Sequence, residues 1–298
     1  MKILITGATS FIGQHVVNAF KNNGDEVFVL LRKKLHSNFL EYPSNIEAYF
    51  LSDQPSSEEV LVAIQSISPE CIVHIAGKTF DDSDVAGREK TVEANFLFGW
   101  HLLNTALECK IPYFLNTGTY WSFGDIADNK PNTLYALMKS NFQKTLEFYA
   151  SRHFIKSLTL VLYDVYGPND PRKKILWQLL RAIKDGSSLE VTQGKQKLDF
   201  VHIDDVAKGF LLGSRYLISD QSPSFSQYAL RTGTLYDLRM VSENMGKILG
   251  KTPNIVWGAK PYPRHQIFHA NDSIPVLPGW FPKLLEDRLS DLIREDVL

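Results

Sequence analysis

The sequence predicts an α/β fold, a Rossmann-type doubly wound parallel sheet with a smaller C-terminal α/β domain. Short apolar strands alternate with amphipathic helices through the first half of the 298-residue chain, and the first strand runs directly into a glycine turn. Strands that are apolar on both faces indicate a parallel sheet covered by helices on both sides. Right-handed crossovers make such a sheet doubly wound.

The predicted elements follow in order along the chain. Strands are expected at 3–5, 26–31, 48–51, 71–75, 113–115 and 158–165, with helices at 11–20, 58–67, 93–107 and 135–154 between them. After Tyr166-Gly167-Pro168 come helices at 175–183 and 204–217, and then a proline-rich stretch that cannot continue the regular alternation. We therefore expect a cofactor domain over 1–165, to which 199–217 returns, and mainly a substrate domain over 166–298.

Composition excludes several classes of function. The net charge of −1 does not favour binding to nucleic acid or to an anionic membrane surface. The two cysteines, Cys71 and Cys109, lack metal-ligand spacing, so no metal site is expected. No apolar run reaches membrane-spanning length, and the first strand leaves no room for a signal peptide, so a cytoplasmic location is expected.

A glycine-rich turn lies between the first strand and the first helix, at Thr6-Gly7-Ala8-Thr9-Ser10-Phe11-Ile12-Gly13. Gly7 permits a tight turn, and Gly13 lets the helix approach the strand. Free N–H groups and the positive end of the helix dipole suit a pyrophosphate. Glycine alone is equally typical of an ordinary strand-to-helix turn, but the position favours dinucleotide binding. The predicted contacts are Gly7, Thr9, Ser10, Phe11, Ile12 and Gly13.

The end of the second strand indicates which dinucleotide binds. An acid there would bond the adenosine ribose hydroxyls and repel a 2′-phosphate, and that position holds Leu31. The cations Arg32, Lys33 and Lys34 follow. We predict NADP(H), with Arg32 and Lys33 as contacts, although a basic loop can also be merely solvated.

Tyr135 and Lys139 lie one helical turn apart on one helix face. A nearby ammonium is expected to lower the pKa of the phenol toward the working range, so that Tyr135 exchanges a proton with a carbonyl or alcohol. Asn116-Thr117-Gly118-Thr119 at the preceding strand's carboxyl end would place a hydroxyl in the same cleft. The three features together predict a catalytic site.

With these motifs the chain resembles the extended short-chain dehydrogenase/reductase family, in particular its nucleotide-sugar epimerases, dehydratases and 4-keto reductases, of which CDP-paratose synthase-like reductases are the most similar subgroup. The resemblance implies that Asp53 contacts adenine. It also implies that Ala76 and Gly77, within His74-Ile75-Ala76-Gly77, line the cofactor together with Asn95. The segment 189–206 is similar to the family's substrate loop, which grips a nucleoside diphosphate.

The resemblance also implies roles on the substrate side. It places the catalytic hydroxyl on Thr117 in preference to Thr119, and substrate contacts on Thr119, Asp164, Lys197 and Arg264. Family dehydratases follow the catalytic threonine with an Asp-Glu pair, and Gly118 and Thr119 stand there instead, which disfavours elimination. The family's arginine before Asp199 is replaced by Leu198, and Lys197 or Arg264 is expected to compensate.

The leading hypothesis is therefore NADPH-dependent reduction of the 4-keto group of a nucleotide-activated 6-deoxyhexose. Three alternatives stay open: a C4 epimerase with bound NAD, a reductase of a non-nucleotide carbonyl, and a redox-inert NADPH sensor. The resemblance further implies a homodimer through helices near 97–107 and 143–149.

Overall fold

The chain folds around one large parallel sheet. The computed structural model describes residues 1–32, 46–126 and 129–295. The seven strands of the sheet are β1 Lys2–Thr6, β2 Glu26–Arg32, β3 Glu47–Leu51, β4 Cys71–His74, β5 Tyr113–Thr119, β6 Lys156–Leu162 and β11 Phe225–Leu230. They pair in the order β11-β6-β5-β4-β1-β2-β3, and every pairing is parallel. The predicted fold class is confirmed.

Helices cover both faces of this sheet. The helices are α1 Phe11–Asn22, α2 Ser57–Ile67, α3 Val85–Val92, α4 Phe98–Glu108, α5 Leu134–Ala150, α6 Ile175–Asp185, α7 Ile203–Ile218, α8 Leu238–Leu249 and α9 Leu285–Glu295. One buried cluster joins the sheet to α1 and α7, and a second joins it to α2, α4 and α5. The apolar strands are therefore buried on both sides, as their composition requires.

Three elements differ from the sequence-based expectation. The predicted strand 158–165 breaks after Leu162, and β7 Asp164–Tyr166 leaves the large sheet to pair with β10 Phe200–His202. The helix expected to start at Glu93 begins earlier, with α3, and joins α4 through a π-helical turn at Glu93–Leu97. The polar composition of α3 gave no amphipathic signal. The seventh strand, β11, was not predicted.

The C-terminal half forms its own buried cluster. It comprises α6, α8, α9 and short two-stranded pairs, in which β8 Leu189–Val191 meets β13 Ile255–Trp257 and β9 Lys197–Leu198 meets β12 Tyr236–Asp237.

The side chain of His202 caps α7. Asp205, 3% exposed, accepts a bond from the Lys283 N–H. The division into two domains stays a prediction. None of the described helices combines the length and apolar character needed to cross a bilayer.

Candidate active site

The turn between β1 and α1 is closed so tightly that two of its positions tolerate only glycine. Gly7 has a φ of +74°, and a Cβ there would lie 2.5 Å from the backbone nitrogen of Ala76. A Cβ on Gly13 would lie 2.1 Å from the carbonyl oxygen of Gly7. The Ser10 hydroxyl caps α1 by accepting from the Gly13 N–H, 3.0 Å away. This cradle fits a dinucleotide pyrophosphate at the first turn of α1.

A cavity of about 1230 Å³ opens beside this turn. Of the predicted cofactor residues, it is lined by Gly7, Thr9, Ser10, Arg32, Asp53, Ala76 and Gly77. The others described, Phe11, Ile12, Gly13, Asn95, Tyr135 and Lys139, lie outside its lining, and Lys33 lies outside the described residues. No cluster of three or more metal-ligating side chains occurs in the described part of the chain.

Another wall of the cavity comes from α4, inside the predicted helix 93–107, and from α3 and the loop before it, which sequence reasoning did not connect with the site. Phe80, Arg88 and His101 contribute to it. His101 Nδ1 lies 2.5 Å from the Ser57 hydroxyl, which fixes the ring against the start of α2. Because α3 went unpredicted, Phe80 and Arg88 were not connected with the site, whereas His101 lies in the predicted helix 93–107.

The end of β2 forms the opposite wall. Leu31 is 4% exposed, whereas Arg32 is exposed at the strand's end, and both line the cavity. The wall thus presents an apolar residue and a cation in the region where an acid would select against a 2′-phosphate.

Lys139 ties α5 to the carboxyl end of β4. Its ammonium is buried and donates to the Ala76 carbonyl at 3.0 Å. Burial lowers the pKa of Lys139 to about 8. Gly77 leaves room for this side chain, since a Cβ there would lie 2.8 Å from Nζ and 2.9 Å from Asn95 Oδ1. Asn95 in turn holds the backbone of Lys78, accepting from its N–H and donating to its carbonyl.

Tyr135 stands in the first turn of α5, which is capped by the Thr133 hydroxyl. Its ring meets the edge of Trp121, with the centroids 6.3 Å apart. Burial raises the pKa of Tyr135 to about 12, and the charge of Arg172 opposes that rise. The expectation that Lys139 lowers this pKa is therefore wrong, because desolvation of the phenolate dominates and the Lys139 ammonium bonds Ala76. Tyr135 is consequently neutral at pH 7.

The two candidate hydroxyls occupy successive positions on one face of β5. Thr117 is 6% exposed, and its hydroxyl is enclosed without a hydrogen-bond partner. Thr119, two residues nearer the carboxyl edge, is half-buried and accepts from the Trp121 N–H at 3.3 Å. Two residues of a strand span about 6–7 Å, so Thr117 lies well below the sheet edge.

The predicted substrate residues are scattered. Asp164 is at the start of β7, where the Tyr120 hydroxyl donates to it at 3.1 Å, and burial raises the pKa of its carboxyl. Lys197 pairs with Asp237 at 3.0 Å, and Arg264 lies exposed in a turn. Neither cation contacts Leu198's neighbour Asp199, which binds Thr232 and Gly233.

Lys174 is a cation that sequence reasoning missed. It immediately precedes α6, whose N-terminus has no side-chain cap, and its charge acts on Asp164. Burial lowers the pKa of Lys174, and Asp164 opposes that shift. The available signal was a lysine pair directly before an apolar helical pattern, which also suits a solvated loop.

Comparisons with known proteins agree with this geometry. The model of the NAD dependent epimerase/dehydratase family matches residues 3–220. A CDP-abequose synthase of Yersinia pseudotuberculosis is 24% identical over 285 residues, covering 92% of this chain and 96% of the relative. A UDP-glucose 4-epimerase of Thermotoga maritima, solved with UDP-glucose, superposes with a TM-score of 0.83 at 22% identity, covering 99% and 98% of the two chains. A UDP-glucose 4-epimerase of Thermus thermophilus, solved with NAD, gives a TM-score of 0.78 at 20% identity, covering 99% of each chain.

The buried ammonium predicts how binding of NADP(H) depends on pH. Because the pKa of Lys139 is lowered to about 8, the side chain loses its charge as pH rises through that value. Affinity for NADPH should therefore fall about ten-fold between pH 7 and pH 9. Lys139→Met should bind at least about ten-fold more weakly at pH 7 and show a flat profile. Fluorescence titration of both proteins measures this, and parallel declines in the two would contradict it.

The same lysine affects stability in the opposite sense. Its folded pKa lies below the ordinary value of 10.5, so the unfolded chain binds more protons between about pH 8 and 10.5. Its contribution to the unfolding free energy should thus rise with pH across that window. At pH 7, Lys139→Met should not lower the melting temperature, because it removes a desolvated charge and keeps similar volume. A lower melting temperature would point to a role in folding instead.

Proposed function

Since the chain belongs to the NAD dependent epimerase/dehydratase family, we propose that it is a nicotinamide-dependent enzyme acting on nucleotide-activated sugars. More specifically, we propose NADPH-dependent reduction of the 4-keto group of a nucleotide-activated 6-deoxyhexose. The similarity to CDP-abequose synthase over nearly the full length of both chains supports a CDP-linked or related sugar nucleotide. Because two UDP-glucose 4-epimerases have a similar fold, C4 epimerisation is the competing proposal for this chain.

One observation carries the proposal: a proton donor and a buried ammonium lie on one helix directly beside the glycine cradle. Lys139 bonds Ala76, and Ala76 packs against Gly7 of the cradle. Tyr135 is one turn away on the same helix. This arrangement suits transfer of one hydride and one proton to a carbonyl held across the carboxyl edge of the sheet.

We propose a separate role in the reduction for the cofactor and for each of these residues. NADPH, when bound, would supply the hydride that reduces the C4 carbon. Tyr135 would donate its proton to the C4 oxygen as negative charge develops there. Lys139 would hold the nicotinamide ribose hydroxyls through its ammonium. The first turn of α1 and Gly7 would hold the pyrophosphate.

We propose that Thr119, rather than the predicted Thr117, bonds the C4 oxygen. The Thr117 hydroxyl is enclosed by protein, whereas Thr119 is half-buried at the carboxyl edge. A hydroxyl must reach the reacting oxygen to within hydrogen-bond distance to stabilise it. The 3₁₀ turn that follows is anchored to α5 by a bond from Ser122 Oγ to the Ala136 carbonyl, at 3.0 Å. Thr119 is thereby held at a defined distance from Tyr135.

Lys174 is the cation we propose for the substrate diphosphate in place of the arginine replaced by Leu198. It lies at the start of α6, on the side of the cleft that holds Asp164. An uncapped helix start adds free N–H groups to its charge. Lys197, by contrast, pairs with Asp237 between β9 and β12.

We also propose a homodimer through α4 and α5. Trp100 and Tyr149 pack together across these helices with ring centroids 6.2 Å apart. Phe148, whose ring centroid lies 5.2 Å from that of Tyr149, is 49% exposed. Such a patch is typical of an interface between copies.

The function is tested by mixing the protein with NADPH and 4-keto-6-deoxyhexoses carrying CDP, dTDP, GDP or UDP. Loss of NADPH absorbance should accompany a product heavier by two hydrogens in the mass spectrum. Tyr135→Phe should lower turnover by roughly 10²–10⁴-fold while leaving NADPH affinity nearly unchanged. Interconversion of sugars without net NADPH consumption would instead indicate an epimerase, and binding without turnover would indicate a sensor.

The two threonines give a matched pair of variants. Thr119→Val should lower turnover by roughly 10–100-fold, because it removes a bond to the developing oxyanion. Thr117→Val should retain most activity, since its hydroxyl has no partner to lose. Steady-state rates and melting temperatures of both variants decide the matter. The reverse ranking would restore Thr117 as the catalytic hydroxyl.

Cofactor preference is tested at Arg32. The unmodified protein should bind NADPH more tightly than NADH, and Arg32→Ala should lose about ten-fold or more for NADPH alone. The basis is that a charge-assisted contact to phosphate contributes roughly 1.5–3 kcal/mol. Dissociation constants for both cofactors measure the effect. Equal affinities in the unmodified protein would refute the NADPH assignment.

A further inference from the structure

Arg172 stands beside the first turn of α1, although it lies far from that turn in the sequence. Its guanidinium carbon is 4.9 Å from the centre of the Phe11 ring, and Phe11 is the first residue of α1. Phe11 is 7% exposed and touches the segment after β7, since a Cβ on Gly167 would lie 3.3 Å from its ring. The segment that carries Arg172 is therefore packed directly onto the start of the phosphate-binding helix.

The guanidinium is held in a fixed orientation. Nε and Nη2 bond the two carboxylate oxygens of Asp170 at 2.7 and 2.6 Å, and Nη2 also donates to the Val165 carbonyl at 3.1 Å. Asp170 is 8% exposed, whereas the Arg172 side chain is 35% exposed. These bonds do not use Nη1. One edge of the guanidinium is thus anchored, while the group remains accessible to a ligand.

The charge of Arg172 reaches the proposed catalytic residues. It acts on the phenol of Tyr135, on the carboxyl of Asp164 and on the ammonium of Lys174. Phe11, on which it stacks, lies outside the lining of the cavity next to β2 and β3. Arg172 does not line that cavity either, so its charge acts on Tyr135, Asp164 and Lys174 from outside the cavity that Leu31 and Arg32 line.

In a doubly wound sheet, a dinucleotide crosses the carboxyl edge with its pyrophosphate at the start of the first helix. From the stacking on Phe11, the anchored fork and the position outside the cavity beside β2 and β3, we infer that Arg172 binds the cofactor pyrophosphate from the nicotinamide side. The inference rests on the proposed function in that it requires a nicotinamide dinucleotide. It adds a cationic contact to a turn, Thr6 to Gly13, whose own side chains carry no positive charge.

The test compares three ligands in a direct binding assay without sugar substrate. Arg172→Met should weaken both NADPH and NADH by about 10- to 100-fold, because they share the pyrophosphate. Adenosine 2′,5′-bisphosphate lacks the nicotinamide half, so its affinity should stay within about two-fold. Arg32→Ala should give the opposite pattern, weakening NADPH and the bisphosphate and sparing NADH.

Arg152→Met is the matched control. Arg152 also stacks on a phenylalanine, with its guanidinium 3.7 Å from the Phe148 ring, and it also donates to a backbone carbonyl. It is exposed after the end of α5 and should leave all three affinities unchanged. Arg172→Lys keeps the charge and should recover part of the lost dinucleotide affinity.

Several outcomes would overturn the inference. Unchanged dinucleotide affinity in folded Arg172→Met would do so, as would an equal loss for the bisphosphate or recovery by Arg172→Lys of the melting temperature alone. Weaker binding of CDP with intact binding of NADPH would assign Arg172 to the substrate diphosphate instead. Because the assay contains no sugar, missing reductase turnover would refute the proposed reaction without affecting this comparison. Failure of the unmodified protein to bind either dinucleotide would refute both.

Discussion

The bond from the buried ammonium of Lys139 to the Ala76 carbonyl is the contact on which the rest of the site depends. It fixes α5 to the end of β4 at the point where Ala76 also packs against Gly7. Two residues after Ala76, the backbone N–H and carbonyl of Lys78 both bond to the side chain of Asn95. A buried ammonium that is removed from water needs such a hydrogen-bond partner. Burial already lowers the pKa of Lys139 to about 8. This junction links the helix that carries Tyr135 to the glycine turn and to Ala76 and Gly77 in the cavity wall.

The bond between Lys139 and Ala76 also explains why we propose different roles for Tyr135 and Lys139. With the ammonium bonded to a carbonyl, burial dominates the phenol and raises its pKa to about 12. A phenol that stays protonated suits donation to a reduced carbonyl oxygen better than abstraction from an alcohol. Arg172 opposes the rise and would stabilise the phenolate left after transfer. The proposed reduction and the proposed cofactor contact thus meet in one cluster of charges.

The side of the cleft that we propose for the substrate is shaped by the break between β6 and β7, after Leu162. There the chain leaves the large sheet, and β7 pairs with β10, which brings Asp164 next to Asp199 through a backbone bond of 3.0 Å. Aromatic rings fill the space beside it, with Tyr120 stacked on Tyr163 at 5.0 Å. The charges of Arg172 and Lys174, from the segment after β7, act on Asp164, whereas Lys197 of β9 pairs with Asp237. Loss of the arginine at Leu198 is therefore compatible with a diphosphate site built from another element.

The sequence by itself determined the alternation of strands and helices, the glycine turn and the pairing of Tyr135 with Lys139. All three depend on local periodicity and spacing, as Gly7 and Gly13 illustrate. Only the tertiary structure decided what depends on distant neighbours. Burial set the pKa of Tyr135, depth below the sheet edge separated Thr117 from Thr119, and packing on Phe11 placed Arg172 beside the phosphate turn. Desolvation and contacts between remote segments leave no periodic trace in a single sequence, and for that reason the pKa of Tyr135 was predicted wrongly and Arg172 was missed.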